Sequence, residues 1–236
     1  MNKEIVVAAY DKDLCWLSLL NKDIKKTIYR KGEYKLRSGE IRLDNVGRDV
    51  HTFFNHLYLN YETLSDITFF AQDYPFDHWE DLLSVINNNT WASRCALNIG
   101  GYYGFHFNTN QPNTTVNLKA SDGSSIDIFV GMMWDLYPTH QFGSGKILAC
   151  HNNGMPQDTR FLDSMNLDNS WSLFFNAPPP PQYEFIPGGH FGITKEQVRL
   201  RDKEFYKKII DLLTVDPESP WMIERLECYL FNPKFI

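Results

Sequence analysis

Cysteine is sparse and unpatterned: the chain has four in 236 residues (Cys15, Cys95, Cys150 and Cys228), and no two form a CxxC pair. That spacing excludes the common zinc patterns, and scattered thiols in a chain this size are no disulfide framework. They read as reduced core or edge residues of a cytoplasmic protein. Long apolar runs are missing too, with nothing near the ~18 residues a membrane span needs. The apolar start at Met1–Tyr10 is stopped by Asp11, too early for a secretory signal. Peripheral contact with a membrane stays open. Positive charge is in deficit: the net charge of −6 argues against a general nucleic-acid binder, whose phosphate contacts need clustered Lys and Arg. One stretch runs against this balance, with Lys25, Lys26, Arg30, Lys31, Lys35, Arg37 and Arg42 close together. Its plain reading is a solvated surface, and its sharper one an electropositive rim for a phosphorylated ligand. No internal repeat is found.

Apolar material is ample. Hydrophobic residues make up 43% of the chain and aromatics 15%, enough to build a core and to set disorder aside over most of the length. Glu4–Ala9 is a β-branched run that reads as a buried first strand, broken at Tyr10-Asp11-Lys12-Asp13. A helix is expected from Leu14 to Leu20 and a second strand from Lys26 to Arg30, closed by Gly32. Val50, Phe53, Phe54, Leu57, Tyr61 and Leu64 then fall at helical spacing in one apolar stripe. Asp66–Ala71 follows as a strand, and Trp79–Asn87 as a helix. Strand–helix–strand–helix–strand over about seventy residues signals a parallel sheet.

The middle is less legible. Gly100–Asn113 reads as loop with short strands, and Ser125–Met133 as a central strand. Ile147–Pro181 is rich in Asn, Asp, Ser and Pro and closes on Pro178–Pro181, read as a stiff extended connection. The last third is helical: Thr194 and Gln197 make a capping-box pattern, and Ser219-Pro220 marks a helix start. The expectation is one domain over 1–236, with a nucleotide-binding half at 1–100 and an acceptor-side half at 101–236.

Five places carry candidate chemistry. Tyr10 and Asp11, past the first strand, suit a base or ribose, because an aromatic stacks and a carboxylate accepts hydroxyl hydrogens; an Asp-rich turn is the bland alternative. Asn45-Val46-Gly47-Arg48 opens a helix, where free N–H groups and a guanidinium favour an anion, or serve as an ordinary cap. Gln72, Asp73, Asp77 and His78 end the strand at 66–71, and polar groups there are where open α/β sheets place ligands. Asp73, Asp77 and His78 are also candidate ligands of a divalent metal, Mn²⁺ or Mg²⁺, while Asp77 alone suits a cap for the helix near Trp79. Gly188-Gly189-His190-Phe191 permits close backbone approach to a ligand or a tight turn. Glu224, one turn into a Pro-started helix beside Trp221, is a candidate general base or a solvated surface glutamate.

The stretches IVVAAYDKDLCWL, YRKG, LDNVGRDVHTFFNHLYLNY and DITFFAQDYPFDH, with GGHFGITKEQV and PWMIERLECYLF near the C-terminus, cover a little under a third of the chain. In this order they resemble a poorly characterised family of bacterial and fungal proteins related to GT-A-type glycosyltransferases. The resemblance implies a GT-A-like (Rossmann-like), mostly parallel central sheet flanked by helices. It also implies a UDP- or GDP-linked sugar donor held by Tyr10, Asp11, Arg48, Gln72 and Asp73. A glycan or glycolipid acceptor would lie near Gly189, His190 and Trp221, with Glu224 as the base of an inverting transfer. The chain departs from that pattern where an Asp-x-Asp metal motif is expected, reading Ala71-Gln72-Asp73-Tyr74-Pro75 instead. Metal use is therefore open, with Arg48 as an alternative partner for the diphosphate. Two other classes stay in view: a metal-dependent hydrolase using Asp11, Asp13, Asp73, Asp77 and His78, and a non-catalytic nucleotide- or carbohydrate-binding protein.

Overall fold

The computed structural model of the chain describes residues 1–95, 97–105, 114–119, 125–130, 140–142, 145–149, 167–180, 182–186 and 189–236. Strands β1 (Lys3–Ala9), β2 (Ile24–Lys31) and β3 (Glu40–Leu43) precede helix α1 (Arg48–Leu59), and β4 (Ile67–Gln72) follows it. Next come α2 (Leu82–Asn87), α3 (Trp91–Arg94), β5 (Leu97–Ile99) and β6 (Tyr102–Phe105). Strands β7 (Thr114–Lys119), β8 (Ser125–Val130), β9 (His140–Phe142), β10 (Gly145–Ala149) and β11 (Gln182–Phe185) form small separate sheets, with α4 (Leu167–Phe174) preceding β11. Then follow β12 (His190–Thr194), α5 (Lys195–Val198), α6 (Lys203–Val215) and α7 (Ser219–Leu230).

The main sheet has seven strands in the order β3-β2-β1-β4-β12-β6-β5. On one side β1 runs parallel to β2 and β4, and β2 to β3. On the other, β12 is antiparallel to β4 and β6, and β5 to β6. The fold is thus α/β, but the sheet is mixed rather than mostly parallel. The reason is local. β5 and β6 are joined through Gly100-Gly101, and so short a connection allows only antiparallel pairing. Of the central strand expected at Ser125–Met133, the described part is β8, which among the described residues pairs with β7 in a two-stranded ribbon rather than joining the main sheet. A short apolar run does not say which sheet it joins.

β1 explains the two-faced core. Its side chains alternate across the sheet: Val6 and Ala8 pack with Phe53, Phe54 and Leu57 of α1 and with apolar residues of α6 and α7. Ile5, Val7 and Ala9 face the other layer, built from Trp16, Trp79 and the apolar side of α2. The expected stripe of α1 is accordingly buried along Val50, Phe53, Phe54 and Leu57. Other boundaries differ. Leu14–Leu20 is a 3-10 turn at Cys15–Leu19, and α2 starts at Leu82 with Asp81, not Asp77, in the cap position. The Thr194 cap is present, its hydroxyl accepting the Gln197 N–H at 3.3 Å. Cys15, Cys95 and Cys228 are free thiols, and Cys150 lies outside the described residues. Among the described residues, no helix is long and apolar enough to cross a membrane.

The amino end of β1 buries charge. Glu4 accepts hydrogen bonds from Thr27, Lys25 and Ser65, and its carboxylate lies 3.7 Å from His56 Nε2. His56 is fully buried and hydrogen-bonds Tyr29 through Nδ1 at 3.1 Å. Burial lowers His56 to about 4, and burial together with nearby Lys31 lowers His51 to about 4. Both imidazoles are neutral in the folded chain but take up protons in the unfolded one below their ordinary 6.5. Stability should therefore be full above about pH 6.5 and fall steadily toward about pH 4, by on the order of 3 kcal/mol for each of the two histidines. Urea unfolding across this range checks it, and His56→Gln should flatten the slope; an unchanged slope would mean His56 does not contribute.

Candidate functional site

All four parallel strands end at one edge of the sheet, and that edge carries a cavity of about 650 Å³. Tyr10 comes from the end of β1, Gln72 and Asp73 from the end of β4, and Asn45–Asp49 from the start of α1. The facing wall is the link between α6 and α7, from Leu213 to Pro217 with Pro220. Open α/β sheets bind ligands at this edge, beside the strand where the order reverses, and β1 next to β4 is such a place.

Buried charged side chains fix the walls by binding backbone. Asp73 accepts the N–H of Tyr10 at 2.8 Å and of Lys12 at 3.2 Å on one oxygen, and of Tyr74 at 3.1 Å on the other. Arg30 grips Glu40 through Nε and Nη2, and its Nη1 donates to the Tyr10 carbonyl at 2.6 Å. This hydrogen-bonded pair holds Arg30 above and Glu40 below their ordinary values. Burial and nearby Asp49 raise the Tyr10 phenol, so it stays protonated. Lys31 is fully buried and donates to the carbonyls of Val46 at 2.7 Å and Arg48 at 2.8 Å. Burial lowers its ammonium to about 8. Asp49 accepts from the Gln72 amide at 2.5 Å, joining α1 to β4 across the cavity floor.

Gly47 decides how α1 approaches. Its φ is 58°, and Arg48 after it has φ 52°, so two left-handed residues open the helix. A Cβ on Gly47 would sit 2.8 Å from the Leu213 carbonyl oxygen and 2.7 Å from His51 Cβ. Only glycine lets α1 and the end of α6 meet and close the pocket. The Arg48 guanidinium lies 4.9 Å from the centroid of the Trp221 ring, which ties α1 to the first turn of α7 by a cation–π contact.

Of the residues expected from sequence, Tyr10, Arg48, Gln72 and Asp73 line one cavity, and Trp221 stacks at its Arg48 side. Asp11 is exposed, pairs with Lys12 at 3.7 Å, and borders a neighbouring cavity of about 430 Å³. His190 is buried outside the cavity lining, where its Nε2 accepts the Gln72 backbone N–H at 3.3 Å. His78 joins it, with ring centroids 5.5 Å apart, a proximity that a sequence separation of 112 conceals. Gly189 is in the turn before β12, while Gly188 and the side chain of Asp77 lie outside the described residues. Glu224 is one turn beyond Pro220, 3.7 Å from the Arg225 guanidinium. Among the described residues no group of three His, Cys, Asp or Glu could hold a metal ion. Asp73 in particular fits a metal poorly, because three N–H groups already occupy its carboxylate. Sequence reasoning missed Lys31 and Asp49, as well as the wall at Leu213–Pro217. Lys31 and Arg30 belong to the stretch read as solvated, yet both are buried, and no spacing in the sequence marks them.

A family described as "Protein of unknown function (DUF3431)" matches residues 5–234, nearly the whole chain. The chain belongs to this family. Comparison with curated proteins and with solved structures gives no match. The geometry of the pocket is testable at Gly47. Gly47→Ala combines a left-handed backbone with a collision against backbone and should cost about 3 kcal/mol. Gly39→Ala, with φ 85° but open space around the new Cβ, should cost about 1 kcal/mol. Equal urea midpoints for the two variants would show that the α1–α6 approach is looser than described.

Proposed function

We propose that the chain is a glycosyltransferase that moves a sugar from a UDP- or GDP-linked donor to a glycan or glycolipid acceptor. One observation carries the reading: a single cavity at the carboxyl edge of the parallel strands gathers an aromatic, a guanidinium and a helix start. Tyr10 offers a face and a hydroxyl to a nucleoside, while Arg48 and the first N–H groups of α1 suit a diphosphate. The finer fold assignment, GT-A-like, belongs to the same proposal. A donor side at the ends of β1 and β4 and a facing wall from α6 and α7 are consistent with it.

Charge neutralisation is assigned to Arg48 rather than to Mn²⁺ or Mg²⁺, since the Asp73 carboxylate is already engaged by the backbone. Glu224 serves as base in this reading, because residues one turn apart share a helix face and Pro220 borders the cavity. An acceptor hydroxyl gives its proton to Glu224 as its oxygen bonds to the anomeric carbon. The bond from that carbon to the diphosphate oxygen breaks on the opposite face, and the nucleoside diphosphate leaves. Contact with a membrane surface would follow from a glycolipid acceptor.

Thermal-shift measurement with UDP, GDP and their sugar conjugates, with and without Mn²⁺, tests the class. Stabilisation by a nucleotide without added metal is expected, and Arg48→Ala should weaken it about tenfold or more. Stabilisation by metal alone would favour a hydrolase, and by free sugars alone a lectin-like protein. Once transfer is measured, Glu224→Gln should lower kcat by about a hundredfold or more with the fold intact. A rate near wild type would remove Glu224 from the mechanism.

A further inference from the structure

Lys31 ends β2 and is completely enclosed, yet it carries an ammonium group. An ammonium has three N–H donors and in the interior must find acceptors for them. Two go to the carbonyls of Val46 and Arg48, the residues on either side of left-handed Gly47. All peptide bonds described here are trans, so each carbonyl points opposite to the N–H of the next residue. Drawing the Val46 and Arg48 carbonyls inward therefore turns the N–H groups of Gly47 and Asp49 outward. Both residues line the 650 Å³ cavity. One buried cation thus sorts the polarity of a backbone segment, acceptors inside and donors outside.

We propose that Lys31 is a positioning residue that holds the Val46–Asp49 wall in an anion-receiving form and holds it less firmly when the ammonium loses its proton. The proposal takes its ligand, a nucleoside diphosphate, from the glycosyltransferase reading, but the effect on the wall stands apart from that reading. Burial brings the Lys31 ammonium down to about 8, against the pull of Asp49 and Asp44, which favour the charged form. His51 on α1 is the other titratable group that senses it and is neutral well above its own value of about 4. Tyr10 at the end of β1 and Asp216 after α6 face the same cavity. Burial keeps the phenol of Tyr10 protonated well above neutral pH, so it does not compete with Lys31 for a transition near pH 8. Deprotonation leaves a neutral amine whose two N–H groups bond the same carbonyls more weakly, so the donors of Gly47 and Asp49 are held less firmly in their direction.

Carbon-detected NMR of the wild-type chain from about pH 6 to about pH 10 tests this directly. The carbonyl ¹³C resonances of Val46 and Arg48 should move together with a midpoint near 8. In Lys31→Met they should show no pH response across this range. UDP affinity by calorimetry should fall about tenfold or more in Lys31→Met, and by a similar factor in wild type across that midpoint. Carbonyl resonances that ignore pH in wild type overturn the proposal, as does a folded Lys31→Met that binds UDP as wild type does. If Lys31→Met fails to fold, the wild-type titration decides alone. If wild type binds neither UDP nor GDP, the glycosyltransferase reading falls, while the carbonyl titration still judges Lys31.

Discussion

The carboxyl edge of the sheet depends on buried charge holding backbone. Asp73 collects the N–H groups that would otherwise leave the end of β1 loose, and Arg30 takes the carbonyl of the same turn. Lys31 does the equivalent for the start of α1. A loop at the rim of a buried sheet cannot satisfy its polar groups with ladder hydrogen bonds, and water reaches only part of it. Charged side chains on the strands below supply the missing partners with strong hydrogen bonds. Remove these and the apolar layers could still pack, but the cavity would have no defined wall.

That arrangement shapes the chemistry. With Asp73 occupied by three N–H groups, the most prominent acid of the strand tip is a brace and not a free ligand. Positive character at the cavity is supplied by Arg48, kept in place by Trp221, and by a helix start whose donors face outward. The sheet's change of direction beyond β4 matters as well. β12 enters antiparallel, which brings His190 to the edge where β4 ends and sets it beside His78.

Much of this was legible in the chain. The β-branched run at Glu4–Ala9, the apolar stripe from Val50 to Leu64 and the Ser219-Pro220 helix start each reflect a local period or a local backbone preference. The break after β4 at Gln72-Asp73 marked the edge that carries the cavity, and four of the five residues expected at the donor, Tyr10, Arg48, Gln72 and Asp73, line that cavity. Asp11 does not. The hairpin at Gly100-Gly101 was the main loss, because two short strands of mixed Tyr, Gly and Phe give no clear period. Without it the sheet read as mostly parallel.

The sequence alone determined where strands and the long helices form and which polar groups gather at strand ends, since these follow from periods of two and 3.6 residues and from turn chemistry. It also fixed the spacing of the four cysteines, none of which forms a CxxC pair. Tertiary structure alone decided the roles of those polar groups. Arg30 and Lys31 look like solvated charges until β3 and α1 cover them, and the hold of Asp73 on the N–H groups of Tyr10 and Lys12 appears only once β1 and β4 pair. Gly47 is one glycine of fourteen until Leu213 arrives from the other end of the chain. Burial and partners come from contacts between distant residues, and those contacts set what each charge does.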